Sequence, residues 1–159
     1  MAQSAIDRIK EIRERLIDAH ETYWAEQVEI QRRAALAWLL LARGHKTEAI
    51  SMMRSAAEGE DATEKNAVTP GPITPARELL GDMLMELKLP REAIKEYLAA
   101  LAKEPNRFRL VYGAAQAAAL AGDRAAARRY FQQLANMCAG ASKPERPELI
   151  EARRFLAAE

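Results

Sequence analysis

Apolar residues recur at spacings of three and four through most of the chain, which is the period of one face of an α-helix. Leu79, Leu80, Met83, Leu84 and Leu87 trace such a face and predict a helix over Ala76–Lys88. Thr74 can cap it, and Pro75 suits its first turn, where an N–H is not needed. Pro90 starts a second helix running to about Lys103, with Ala93, Ile94, Tyr97, Leu98 and Leu101 on its inner face, and Pro105 stops it. The same pair follows at once. Phe108–Ala121 is its first helix, and Arg124 to about Cys138 is its second, with Ala127, Phe131 and Leu134 inside. Between them Gly122 suits the left-handed position after a helix end, and Asp123 suits the following cap. A last helix, Glu148–Ala157, is opened by Pro147 and has a narrow apolar face of Leu149, Ala152, Phe155 and Leu156.

Ala93 aligns with Ala127, Tyr97 with Phe131 and Leu87 with Ala121, each pair 34 residues apart. A fixed period of this size marks stacked helix pairs. An earlier copy shows Leu36-Ala37, a turn at Gly44, then Ala49 and Met53. Ala49 lies 44 residues before Ala93, so ten extra residues must fall within Glu58–Ile73, between helices.

These motifs resemble the tetratricopeptide repeat family, whose pattern is an aromatic, Leu-Gly, Tyr, Ala-x3-Phe, then Pro. The middle repeat carries Leu80-Gly81, Ala93-x3-Tyr97 and Pro105, with Arg77 and Leu84 at the two aromatic positions. The last repeat carries Ala114-Ala115 and Ala127-x3-Phe131 and lacks the Pro. The resemblance implies an all-α, right-handed α-solenoid of antiparallel helix hairpins with a C-terminal capping helix. It extends to the C-terminal part of bacterial members of unassigned role. A glycine inside a helix costs about 1 kcal/mol relative to alanine, so Gly81 must be offset by close approach of a neighbouring helix. Ala93 and Ala127 are expected to serve the same close contacts. One domain is expected: an N-terminal helical segment 1–29, a degenerate repeat 30–57, an inserted loop 58–73, repeats 74–107 and 108–141, and a capping segment 142–159.

The N-terminal segment permits two readings. Ser4 can cap a helix striped by Ile6, Ile9, Ile12, Leu16 and Ala19, and no Gly or Pro interrupts the chain before Gly44. Either one helix runs from about residue 4 to 43, or the chain bends near Ala19–Thr22 into a helix pair, the preferred reading. The Ile9/Leu16 face also fits a short heptad seam that a second copy of the chain can fill. The inserted loop is acidic, then stiffened by Pro70 and Pro72, and is either a spacer or a wall over a binding groove.

Composition narrows the function. The chain carries 24 Lys+Arg against 23 Asp+Glu, and this balance gives no long-range attraction for nucleic acid or an anionic membrane. The longest apolar run, Ala34 to Ala42, is too short to cross a bilayer, and Met1 to Lys10 do not form a signal peptide. A cytoplasmic protein is expected, unless a leader belongs to a longer parent chain. The lone Cys138 excludes an internal disulfide and is expected to be a small buried hydrophobe. His20, placed on a helix, and His45, placed in an exposed turn, have no metal-binding spacing. No nucleophile elbow, P-loop or dinucleotide fingerprint occurs, so no enzyme activity, cofactor or metal is expected. Arg107, Arg109, Arg124, Arg128 and Arg129 lie near Phe108, Tyr112 and Tyr130, a mixture that can hold single-stranded nucleic acid. Phe108 and Phe131 nevertheless fall at repeat core positions.

In the family, the first helix of each repeat lines the concave groove. Carried over by position, the groove presents Gln31 and Trp38 in the first repeat and Glu78, Asp82 and Glu86 in the middle one. Asn106 and Arg107 stand at the junction, and Arg109, Tyr112 and Gln116 belong to the last repeat. The Lys/Asn clamp of chaperone-binding family members is absent. The expected function is a non-catalytic module binding a protein or peptide, with a self-associating helical scaffold as the alternative.

Overall fold

The computed structural model describes residues 2–63, 72–140 and 146–158. Among these residues the chain forms eight helices and no strand. They are α1 (Ala2–Asp18), α2 (Thr22–Ala42), α3 (Lys46–Ala62), α4 (Ala76–Glu86), α5 (Pro90–Lys103), α6 (Phe108–Leu120), α7 (Arg124–Met137) and α8 (Pro147–Ala157). They group into two compact units, Met1–Met83 and Leu84–Glu159, divided within α4.

Four of the connections use one device. His20, Gly44, Lys88 and Gly122 all have positive φ, at 60°, 87°, 60° and 82°. In each turn the next N–H reaches back five residues. Glu21 donates to the Leu16 carbonyl, His45 to Leu40, Leu89 to Leu84 and Asp123 to Ala118, at 2.8–3.0 Å. The left-handed residue itself donates to the carbonyl three residues back. This is the Schellman arrangement, which satisfies carbonyls that a helix end would leave unpaired. It reverses the chain within three residues, and α1/α2, α2/α3 and α6/α7 pack as neighbours across such turns. The Asp123 carboxylate then accepts from the Ala126 N–H at 2.9 Å, capping α7 as its position suggests.

In the first unit α2 packs against both α1 and α3. Ile30, Ala34 and Ala37 of α2 and Ala49, Met53, Ala56 and Ala57 of α3 are buried. In the second unit α5, α6, α7 and α8 pack each on the next. A helix with neighbours on both sides needs small side chains, and seven of the thirteen residues of α6 are buried, most of them Ala or Gly. The three Ala-x3-large pairs, Ala49/Met53, Ala93/Tyr97 and Ala127/Phe131, are all buried, as is Gly81.

A close approach falls at Gly113. A Cβ built there would lie 2.6 Å from Cζ of Tyr97 and 2.7 Å from its Cε1. The Tyr97 ring is only 2% exposed, so it has no space to retreat into. Phe131, the equivalent aromatic 34 residues on, packs against Phe155 of α8 with ring centroids 4.8 Å apart.

Several expectations are corrected. α1 starts at Ala2, so Ser4 stands inside its first turn instead of capping it. The bend at residues 19–21 is real, and His20 lies in that turn, not on a helix. The inserted stretch is not wholly a loop: α3 continues through Glu58–Ala62, and residues 64–71 lie outside the described residues. That extension is tied to the next helix. The Glu60 carboxylate accepts from the Ala76 N–H at 2.7 Å, and Asp61 pairs with Arg77. Leu98 is exposed, and Cys138 is only half-buried.

Two glycine substitutions should move stability in opposite directions in chemical denaturation. Gly113→Ala gains helix propensity but overpacks against Tyr97, and a net loss of about 1–2 kcal/mol is expected. At Gly59 a Cβ would make ordinary 3.7 Å contacts with Ile30 and Arg33. Gly59→Ala should therefore gain about 0.5–1 kcal/mol. Equal responses at the two sites would contradict the close contact at Gly113.

Candidate functional site

The residues expected to line a groove fall into three situations. Tyr112 and Gln116 lie one turn apart on α6 and come together, but on a residue of the chain itself. The Tyr112 hydroxyl donates to Oε2 of Glu151 at 2.6 Å, and the Gln116 amide donates to the Tyr112 oxygen at 2.6 Å. Gln116 also reaches both Glu151 oxygens at 3.2 and 3.3 Å. Burial, the hydrogen bond to Glu151 and the charges of Glu151 and Glu148 push the Tyr112 hydroxyl well above its usual pKa. It therefore remains a donor throughout the ordinary pH range.

The middle-repeat carboxylates do not form one solvated strip. Glu78 is fully buried, Asp82 half-buried and Glu86 exposed. A four-residue spacing puts side chains on a shared side of a helix without fixing whether that side meets water. Asn106 and Arg109 are exposed, and Arg107 pairs with Glu104 at 3.2 Å.

Gln31 and Trp38 stand on one side of α2, the third situation. Gln31 is exposed and Trp38 half-buried. Trp24 and Gln27 continue the same side toward the start of the helix, at spacings of three and four. Trp24 is 45% exposed and meets Tyr23 edge-on, with centroids 5.1 Å apart. Trp24 was not among the residues singled out from sequence. Its position seven residues before Gln31 was the available signal. Along the outer side of α3, Thr47, Ile50, Ser51, Arg54, Ser55 and Glu58 line an open depression of about 400 Å³.

The aromatics near the arginines are already covered. Arg129 lies over the Tyr130 ring at 4.6 Å and donates to its hydroxyl at 2.7 Å. Arg146 lies over Phe108 at 4.8 Å, and Phe131 is buried. Tyr130 and Phe131 are thus buried, and a guanidinium takes one face of Phe108. Among the described residues no cluster of His, Cys, Asp or Glu has the makings of a metal site, and no helix is long and apolar enough to cross a membrane.

No protein-family model matches the chain, and no curated protein sequence matches it. Solved structures do. The chain is similar to PcrH from Pseudomonas aeruginosa, with a TM-score of 0.58 and 18% identity, over 80% of this chain and 88% of that one. It is similar to MamA 41-end from Desulfovibrio magneticus RS-1, with a TM-score of 0.60 and 14% identity, over 95% of this chain and 81% of that one. A MamA RS-1 double mutant gives a TM-score of 0.60 and 14% identity, over 95% and 80%. The fold is thus all-α and of the tetratricopeptide type.

One electrostatic cluster joins the first three helices. Glu29 accepts from Arg32 at 2.8 Å with both oxygens and from Arg33 at 2.9 Å, and Arg13 of α1 stands 3.4 Å away. Arg33 also donates to the Ser55 hydroxyl of α3 at 3.3 Å. The Arg32 hydrogen bonds, helped by Arg33 and opposed by partial burial, hold the Glu29 carboxyl down at about 2. A depressed carboxyl stabilises the fold fully above its unfolded value of about 4.5, and the contribution fades as pH falls toward 2. Glu29→Gln should cost about 1–3 kcal/mol at pH 7 and flatten the pH dependence of stability between pH 4.5 and 2. A variant with wild-type acid sensitivity across that window would show that Glu29 does not carry it.

Proposed function

We propose that the chain is a non-catalytic protein-interaction module, and that α2 presents the surface for an extended segment of a partner protein. One observation carries this reading. Both tryptophans of the chain stand on one side of α2 with Gln27 and Gln31 between them, and Trp24 is 45% exposed. An indole left in water gains nothing for the folded chain alone, whereas tryptophan is a frequent anchor of protein interfaces. A glutamine amide both donates and accepts, which matches the N–H and C=O groups of an extended backbone. The tetratricopeptide-type fold supports the reading, since its helix pairs expose the sides of their first helices. Near-neutral charge and guanidinium-covered aromatic rings weigh against a nucleic-acid partner.

The test is a Trp24→Ala/Gln31→Ala variant. Both side chains lie outside the buried core, so helicity by circular dichroism should match wild type. A segment that co-purifies with the wild-type chain should bind the variant at least about tenfold more weakly. An unchanged Kd with intact helicity would place the site elsewhere than α2.

A further inference from the structure

The Glu29 cluster holds more positive charge than it neutralises. The guanidinium groups of Arg13, Arg32 and Arg33 meet one carboxylate, which leaves an excess of two positive charges where α1, α2 and α3 join. Arg32 donates to both Glu29 oxygens, Arg33 donates to Oε1 as well, and Arg13 stands beside Oε2. The carboxylate's lone pairs are taken by these contacts, whereas a guanidinium carries more N–H donors than they use. The nearby charges of α1 do not make up the difference, because Lys10 pairs with Glu14 and Arg15 with Glu11.

The cluster is also reachable. Arg13 and Arg33 keep 38% and 34% of their side-chain surface exposed, against 14% for Glu29. Arg33 donates to the Ser55 hydroxyl, and Ser55 lines the open depression along the outer side of α3. The charges of that lining, Arg54 and Glu58, cancel, and Thr47 and Ser51 add hydroxyls. Ser55 accepts from Arg33 and keeps its own O–H to donate. The cluster lies away from the side of α2 that carries Trp24 and Gln31. Glu29 and Arg33 each stand two positions from Gln31, which is nearly opposite on a helix.

We propose that the junction of α1, α2 and α3 is a binding site for a phosphate group, held by Arg13 and Arg33 with the Ser55 hydroxyl as a further donor. Charge and geometry select this ligand. A phosphate monoester carries roughly −1.5 to −2 at pH 7, which matches the excess, and its oxygens are strong acceptors. Guanidinium groups bind such oxygens in pairs, and partial burial strengthens the contact. A carboxylate brings one charge and leaves half of the excess unmet. The site uses a different surface from the tryptophan side of α2, so its failure leaves that reading intact.

The test titrates inorganic phosphate and phenyl phosphate into the full chain by calorimetry, against sodium chloride and sodium acetate at matched ionic strength. Saturable binding of phosphate is expected, about tenfold weaker in Arg13→Gln and in Arg33→Gln. Arg8→Gln removes the same charge from an exposed position on another side of α1 and should bind as wild type. Glu29→Gln removes the chain's own anion and should bind about tenfold more tightly, a response that a purely structural cluster would not give. If Glu29→Gln loses helicity, the comparison of Arg13→Gln with Arg8→Gln decides. A lower Kd for phenyl phosphate assigns the site to phosphate esters and a lower Kd for inorganic phosphate to the free ion, and either supports it. No saturable heat beyond chloride, acetate bound as tightly as phosphate, or equal binding by Arg8→Gln and Arg13→Gln overturns the proposal. So does a folded Glu29→Gln that binds no more tightly than wild type.

Discussion

His20, Gly44, Lys88 and Gly122 hold the same left-handed backbone conformation, and the packing of the hairpins they close follows from it. A turn of three residues with two back-reaching hydrogen bonds leaves no slack. The helix that emerges must lie against the one just finished. Its facing residues then have to be small or shaped to the neighbour, and α6, which follows α5 through a connection of another kind, meets the same demand where Gly113 sits beneath the Tyr97 ring. Small residues here serve proximity and not helix propensity alone.

The same constraint distributes polar groups. A helix with neighbours on two sides keeps one side open. On α2 that side carries Trp24, Gln27, Gln31 and Trp38. On α6 the corresponding polar residues, Tyr112 and Gln116, are bonded to Glu151 of the terminal helix. One side is thus exposed, and the other is already filled by the chain. The Glu29 cluster, with arginines from α1 and α2 and a link to Ser55 of α3, fixes the frame from which α2 presents its open side.

Much of the fold was legible because its signals are local. Pro90 and Pro147 open helices, Gly44 and Gly122 close them, and the 34-residue spacing of Ala93/Tyr97 with Ala127/Phe131 places buried positions correctly. The turn at His20 was harder, because a non-glycine residue in the left-handed region leaves no mark in the sequence. The choice there between one long helix and a bend could not be closed by pattern alone. Gly59 and its acidic neighbours suggested a loop, yet α3 runs through them and uses Glu60 and Asp61 to meet Ala76 and Arg77. The candidate site was less legible. Spacing put Tyr112 and Gln116 on one side of a helix but said nothing of an acceptor 39 and 35 residues away. Family position put Glu78 on the groove surface, and it is buried.

Lys88 offers the most direct measurement, because its side chain is exposed and its backbone is left-handed without glycine. Chemical denaturation of Lys88→Gly and Lys88→Val isolates the backbone term. Relief of the left-handed penalty should make Lys88→Gly more stable than wild type by about 0.5–1 kcal/mol, and the β-branched residue should cost about 1–2 kcal/mol. If both variants match wild type, the left-handed turn is not what sets the hairpin.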